Sequence, residues 1–595
     1  MKSIAGSCIA SLISGIFYAL PLTATAITVS GTVRDTSGAP LPNVMVTVHN
    51  KIPVPATPGA ATTSVFTADD GSFNMPNLPH AKMGDIVFSI RKVGLLQTGI
   101  NLEYPTPDAV KASITAQPID NVADQIPASA WLSDFSADDR GARTVVGHCA
   151  GSGCHQFPAD RVKKFNKSLV ASMTEHPESQ EAMGRQVWLG MVQFMRSMSL
   201  RFSADTELRW GMDDNMAAEF SSPQNALFNE SEGGLIAKTL ANKLATETYV
   251  DFPLEKYKQL NNAPLGVTEK TIIREYRLLT DGWTREVAMS SATPYPWLVE
   301  DNKHRLGRLD PETGYLRWYP VPENVKGPHT INADAAGNFW ISMEESFDVG
   351  LFDPKAEKWT TYSGFGKNAL VHDFCMDENR LVRYDKTGGL WLTLLGSNKM
   401  ARLDPKTKKI KSFSMPLPPN ESIFHTALYG CVMTSDMKHA WFTQISSSIG
   451  AFNMETGKVD AYYELPSGTI PHRMAIDDKD VVYVALSGDG QIWSLDTRTP
   501  GAKPRFHDLP DRNSAPYSVT WDNQRKVLWV ATTNNDIIYK LDPASGAFSE
   551  FPLPRKDAFL RMIDIDPKTG DLWTTYSNLP VGQGPNFMVQ LTPGD

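Results

Sequence analysis

RLDPETGYLRWYPVP, residues 308–322, followed by GPHTINADAAGNFW, residues 327–340, carries one full unit of the pattern that decides the fold. A Leu-Asp-Pro turn comes first, then an outer strand ending in aromatic, apolar and proline residues. An inner strand of alternating apolar residues follows, and a strand bearing tryptophan closes the unit. The aromatic marker recurs at Trp297, Trp340, Trp391, Trp441, Tyr483, Trp529 and Trp573, and the turn marker at Asp310, Asp353, Asp404, Asn453, Asp496, Asp542 and Thr592. Successive turn markers lie 43 to 51 residues apart. Four short strands at that period predict a β-propeller over residues 271–595, and seven markers predict seven blades. The last marker strand, at 588–591, has no outer strand after it. Ile273-Arg-Glu-Tyr-Arg-Leu278 is expected to supply the missing one, pairing the two ends of the array and removing open edges.

Aligning the inner strands on a seven-residue frame puts Arg285, His329, His372, His425, His472, Tyr517 and Arg561 at the second position, which is expected to face the central channel. All seven can donate hydrogen bonds. Four of the twelve histidines of the chain fall in this one slot, the alternative being that a Pro-His step serves local turn chemistry. The functional reading is a polar pocket on the propeller axis. His329, His372, His425 and His472 are candidates for proton transfer or for holding one divalent metal, and Arg285, Tyr517 and Arg561 are candidates for binding substrate, the arginines through an anionic group.

Outward toward the N-terminus the texture changes twice. Residues 27–105 read as an all-β sandwich: Ile27-Thr-Val-Ser-Gly-Thr-Val-Arg34 alternates like a strand, Asp35-Thr-Ser-Gly38 is a turn and Val44-Met-Val-Thr-Val48 is a second strand. Residues 106–130 read as a linker, and 131–265 as a helical domain, with apolar residues at helical spacing over 160–175 and 178–198. That domain opens on Cys149-Ala-Gly-Ser-Gly-Cys154-His155. Two thiols and an adjacent imidazole are how a chain attaches haem c covalently and ligates its iron, although the usual spacing has two residues between the cysteines and this one has four. The same thiols could instead close a disulfide. Met198 and Met195, on one helical face, are the candidates for the second axial position, with His155 the first.

Lys2, an apolar core from Ile9 to Leu20 and Ala24-Thr-Ala26 fit a signal peptide over residues 1–26, so the mature chain is expected in the periplasm without a membrane span. Cys375 and Cys431 could pair there, or stand as small buried apolar groups. Net charge is −9 with acids and bases interspersed, which excludes a nucleic-acid partner. The whole is read as a mainly β, multidomain chain: N-terminal β-sandwich, α-helical cytochrome c-like domain, C-terminal seven-bladed β-propeller.

SGTVRDTSGAPLPNVMVTV and TADDGSFNMPNLP resemble the carboxypeptidase regulatory-like module, which implies a transthyretin-like sandwich with no chemistry of its own. RLDPETG, WYPVP, GPHTINADAAGNFW and KLDPASGAFSEFPLP resemble the virginiamycin B lyase (streptogramin lyase) family, over about 325 residues. That resemblance implies elimination across an ester C–O bond by a histidine base with magnesium, the key histidines lying on the last two blades. Here those places hold Tyr517 and Arg561, and arginine stays protonated and cannot be that base. The chain as a whole is similar to exported proteins that set a cytochrome c-like segment before such a propeller. The reading that uses most of the chain is oxidation of a small molecule in the channel, with haem passing electrons to or from a periplasmic partner. The alternatives are a lyase acting on a cyclic ester and a non-catalytic electron shuttle.

Overall fold

The structure, a computed structural model, describes residues 27–50, 62–78, 86–151, 156, 182, 186, 188–192, 230–244, 251–260, 263–418, 426–446, 448–556, 558–577 and 586–594. Residues 271–594 form seven four-stranded antiparallel units. Their innermost strands touch in ring order and the last touches the first, so the array is a closed propeller.

The two markers have separate physical jobs. The Asp or Asn of each turn accepts a backbone N–H from two residues on, at 2.8–3.0 Å in blades 1 to 6. This is the local turn bond that makes those side chains preferred there. The aromatics reach across blade boundaries: Trp297 meets Phe339 at 5.3 Å and Trp391 meets Phe452 at 5.5 Å between ring centroids. Burying one large ring per blade between twisted sheets is a main source of cohesion, roughly 1.5–3 kcal/mol each by apolar area. Inner strands such as Pro328–Ala333 and Pro471–Ile476 are buried at every residue, so they lack the in–out alternation that outer strands such as Lys358–Tyr362 keep.

Closure runs through blade 7. Its strands Leu560–Ile565, Leu572–Tyr576 and Phe587–Thr592 are completed by Ile272–Arg277, from the beginning of the array. The free flank of that closing strand is then taken by Thr62–Phe66 of the N-terminal module. Thr62–Phe66, Met45–Asn50 and Ile86–Arg91 therefore extend blade 7 into one seven-stranded sheet. Buried Glu275 ties the seam, accepting from Thr62 Oγ1, from Arg555 Nε at 3.1 Å and from Tyr576 Oη at 2.7 Å.

The second sheet of the sandwich runs in the order Ser72–Leu78, Ile27–Asp35, Ala109–Pro118, Leu95–Thr106. This corrects the expected linker over 106–130. Ala109–Pro118 is an interior strand paired in parallel with Ile27–Asp35, and its Val110, Ala112, Ile114 and Ala116 alternate into the core. The polar residues between them hide the strand from a reading by composition.

Among the described residues, helix after the sandwich is limited. A 3-10 turn covers Ala128–Leu132, an α-helix Arg140–Val145 and a π-helical turn Val146–Gly151, with further helices at Glu230–Leu244 and Leu254–Leu260. Residues 188–192 are also helical. These pieces share one apolar cluster around Trp131, Val145, Trp188, Leu240 and Phe252. No described helix is long and apolar enough to cross a membrane. Cys375 and Cys431 form a disulfide between blades 3 and 4.

Candidate functional site

The seven blades admit one structural equivalence at their inner ends. The residue that follows the second strand of each blade donates its N–H to the residue two places before the channel side chain. The donors are Asp301, Glu344, Leu395, Ile445, Ser487, Thr533 and Ser577, and the acceptors Trp283, Gly327, Leu370, Ala427, Ile470, Ala515 and Phe559, at 2.8–3.2 Å. The channel ring is therefore Arg285, His329, His372, Tyr429, His472, Tyr517 and Arg561. On blade 4 Tyr429 stands where His425 was expected, and His425 itself lies outside the described residues. The discriminating signal was present: Tyr429 precedes Trp441 by 12 residues, as Arg285 precedes Trp297 and Tyr517 precedes Trp529. His425 stands 16 residues before it, and Phe424-His425-Thr426 imitates the apolar-His step that opens the inner strands of blades 2, 3 and 5.

Five acceptors, Gly327, Leu370, Ala427, Ile470 and Ala515, take positive φ values of 34–69°. For β-branched Ile470, at 52°, that conformation costs about 1–3 kcal/mol. The turn so formed swings the next side chains into the channel, and packing on all sides holds it.

The ring is buried throughout and its members touch in sequence. Ring centroids of His329 and His372 lie 4.7 Å apart, His372 and Tyr429 3.8 Å, and His472 and Tyr517 4.7 Å. The Tyr429 and Tyr517 hydroxyls share a short hydrogen bond. Arg561 Nη1 donates to Tyr517 Oη at 3.2 Å. The guanidiniums of Arg285 and Arg561 both lie over Trp283, at 4.0 and 5.2 Å. Arg285 also pairs with Asp301 at 3.1 Å, so its charge is already met within the chain.

The residues that follow the second strands form a second tier that decides what each ring member can do. Glu344 lies 3.5 Å from His329 Nε2 and 4.0 Å from Arg285. Ser487 bonds His472 Nδ1 at 2.6 Å, and Ser577 accepts from Arg561 Nε at 3.3 Å. Burial pushes the Glu344 carboxyl up to about 8, against the pull of Arg285. Burial, with Arg473 and Arg561 beside it, pushes His472 down to about 3, and burial holds His329 and His372 well below the ordinary imidazole range. All three imidazoles are thus neutral at pH 7, the form that accepts protons.

One residue further along the inner strands the channel has an ionic floor. Arg473 pairs with Asp373 at 2.7 Å and with Glu286, and donates to Thr330 Oγ1 at 2.9 Å. Gly430 occupies the same place on blade 4. A Cβ there would stand 3.3 Å from Arg473 Cα and 2.9 Å from the His472 carbonyl.

The helical segment sits on the mouth over blades 5 to 7. Arg143, fully buried, donates to the carbonyls of Arg512 at 2.7 Å and Phe135 at 2.9 Å, and to Asn513 Oδ1 at 2.5 Å. Thr533 Oγ1 donates to the Ala150 carbonyl at 2.7 Å, and Gln156 Nε2 to the Ala558 carbonyl at 2.8 Å. Gly151 lies against Ser487, so closely that an added Cβ would stand 2.6 Å from the serine Cβ. Cys149, partly buried, packs on the apolar cluster of the segment. Cys154, His155, Met195 and Met198 lie outside the described residues. Among the described residues no group of three or more His, Cys, Asp or Glu side chains is arranged to hold a metal ion.

Residues 28–117 match the carboxypeptidase regulatory-like domain. The propeller is structurally similar to a streptogramin B lyase (18% identity, 54% of this chain and 98% of that chain covered, TM-score 0.45). It is similar to the same degree to virginiamycin B lyase from Staphylococcus aureus (17%, 54% and 99%, TM-score 0.45). The Cps50 (Swd1) β-propeller domain of Myceliophteria thermophila is similar at 12% identity, covering 52% of this chain and 96% of that chain, with TM-score 0.41. No curated protein matches the chain.

Proposed function

We propose that this chain is an exported c-type haem protein whose propeller binds a small molecule at the channel ring and oxidises it, electrons leaving through the haem to a periplasmic acceptor. One observation carries the reading. The residues that open the Cys149–His155 motif are seated on the ring's mouth, Ala150 on Thr533 and Gly151 on Ser487, the hydrogen-bond partner of His472. Cys149 and Cys154 would hold the haem, and His155 and Met198 or Met195 would be the ligands offered to its iron; the apolar surroundings of Cys149 suit a porphyrin. When bound, the haem supplies one-electron acceptance. The protein's own part is to bind substrate beside Arg285, Tyr517 and Arg561, to take a proton on a neutral imidazole of His329, His372 or His472, and to keep bulk water out of a buried ring. The Cys375–Cys431 disulfide supports an oxidising compartment.

A second reading, C–O elimination on a cyclic ester, draws on His472: Ser487 Oγ donates to the Pro516 carbonyl and accepts from His472 Nδ1, which leaves Nε2 as the proton-accepting nitrogen, and a bound substrate would have to raise its basicity. The deciding experiment is a visible spectrum of protein exported from a haem-attaching host, with and without dithionite. Sharp α and β bands are expected on reduction, and His155→Ala should abolish them. Colourless wild-type protein would end the redox reading. Turnover of a lactone with no electron acceptor would favour elimination. Elemental analysis should find iron, and a second divalent metal would return the ring histidines to a ligand role.

A further inference from the structure

The second tier is not uniform around the ring. Five of its members are polar: Asp301, Glu344, Ser487, Thr533 and Ser577. The two on blades 3 and 4 are Leu395 and Ile445, and they join Leu370, Phe347, Tyr429 and Tyr517 in a single apolar cluster. The consequence falls on His372. His329 has Glu344 as partner and His472 has Ser487, but the corresponding place beside His372 is Leu395. His372 Nδ1 lies 3.2 Å from the Tyr429 carbonyl. A carbonyl only accepts, so Nδ1 carries the proton and Nε2 of the neutral ring is an acceptor. That Nε2 is fully buried and has no hydrogen-bond partner among the described residues. Leaving such an atom unmet costs about 1–3 kcal/mol, which a ligand donor would recover.

We infer that the ring takes an uncharged molecule with a hydroxyl group and an apolar body, the hydroxyl donating to His372 Nε2 and the body lying against Leu395 and Ile445. This rests on the reading of the ring as the binding site. It differs from the anionic ligand expected from two arginines, because Arg285 is already paired with Asp301.

Benzyl alcohol, toluene and benzoate, titrated against the full-length protein by ligand-detected NMR, separate the cases. Benzyl alcohol should bind about tenfold more tightly than toluene, the value of one buried hydrogen bond, and more tightly than benzoate. His372→Phe should erase the preference over toluene, whereas His372→Gln, which keeps an acceptor, should retain part of it. Ile445→Asp, at a half-buried position, should weaken benzyl alcohol and toluene alike with an unchanged circular dichroism spectrum. Tighter binding of benzoate, or an alcohol-to-toluene ratio indifferent to His372→Phe, would overturn the inference while leaving the ring a binding site. Saturable binding of none of the three would overturn both.

Discussion

Arg473 and Arg143 are both sealed from water, yet opposite chemistry holds them. Arg473, in the channel floor, is gripped by the carboxylates of Glu286 on blade 1 and Asp373 on blade 3. Those charges raise its proton affinity against the effect of burial. Arg143, at the seam between the helical segment and the mouth, is held by neutral oxygens, and burial lowers it to about 10. The floor is thus a compensated ionic knot that binds blades across the axis. The seam is a cation solvated by carbonyls, a junction that can be lost without leaving an opposite charge stranded. The blades are held to one another by charge, and their cover is held to them by dipoles.

The largest effect is expected inside the axis. Arg473→Ala should cost about 3–5 kcal/mol, because it strands two buried carboxylates. Adding Glu286→Gln and Asp373→Asn should restore much of the loss, which chemical denaturation would measure. If the single variant were neutral, the floor would not be an ionic knot. Arg143→Ala should cost on the order of 2 kcal/mol. That loss should fall on the segment: limited proteolysis within 128–151 should quicken roughly thirtyfold while the propeller's own transition stays put. Equal loss in both regions would merge the two into one folding unit.

A third test concerns pH. The Glu344 carboxyl is raised to about 8 from 4.5, so the folded state holds its proton more tightly than the unfolded chain. Its contribution is intact below about 4.5 and is lost as pH rises toward 8. The urea midpoint should therefore fall between about pH 5 and pH 8, and Glu344→Gln should flatten that fall. The ring histidines, held low by burial, act in the opposite sense and erode stability as pH drops below about 6.5. A profile unchanged by Glu344→Gln would exclude Glu344 as the source of the alkaline loss.

What could be read from residues alone was whatever repeats. Leu-Asp-Pro turns and buried tryptophans recur because every blade solves the same packing problem, so the propeller and its closure through Ile272–Arg277 were legible. The departures were not. On blade 4 the chain inserts residues before the inner strand, and His425 offered a false register that Tyr429 occupies. Ala109–Pro118 passed for a linker because an interior strand of a small sandwich needs only alternate apolar positions. Asp301, Glu344 and Leu395 carry no local motif at all. They matter through a cross-strand bond to a residue some fifteen to twenty-five places earlier, a relation visible only once the blades are aligned in space.

The closing strand Ile272–Arg277 is flanked by Thr62–Phe66 on one side and Phe587–Thr592 on the other. Its first neighbour is made before it, while its second is made only after more than half the chain has followed. During that interval the amino-terminal module can shield one margin of a strand that would otherwise offer both to strangers. Removing the module should therefore tell first on the yield of closed rings during synthesis, and only later on the endurance of a finished one.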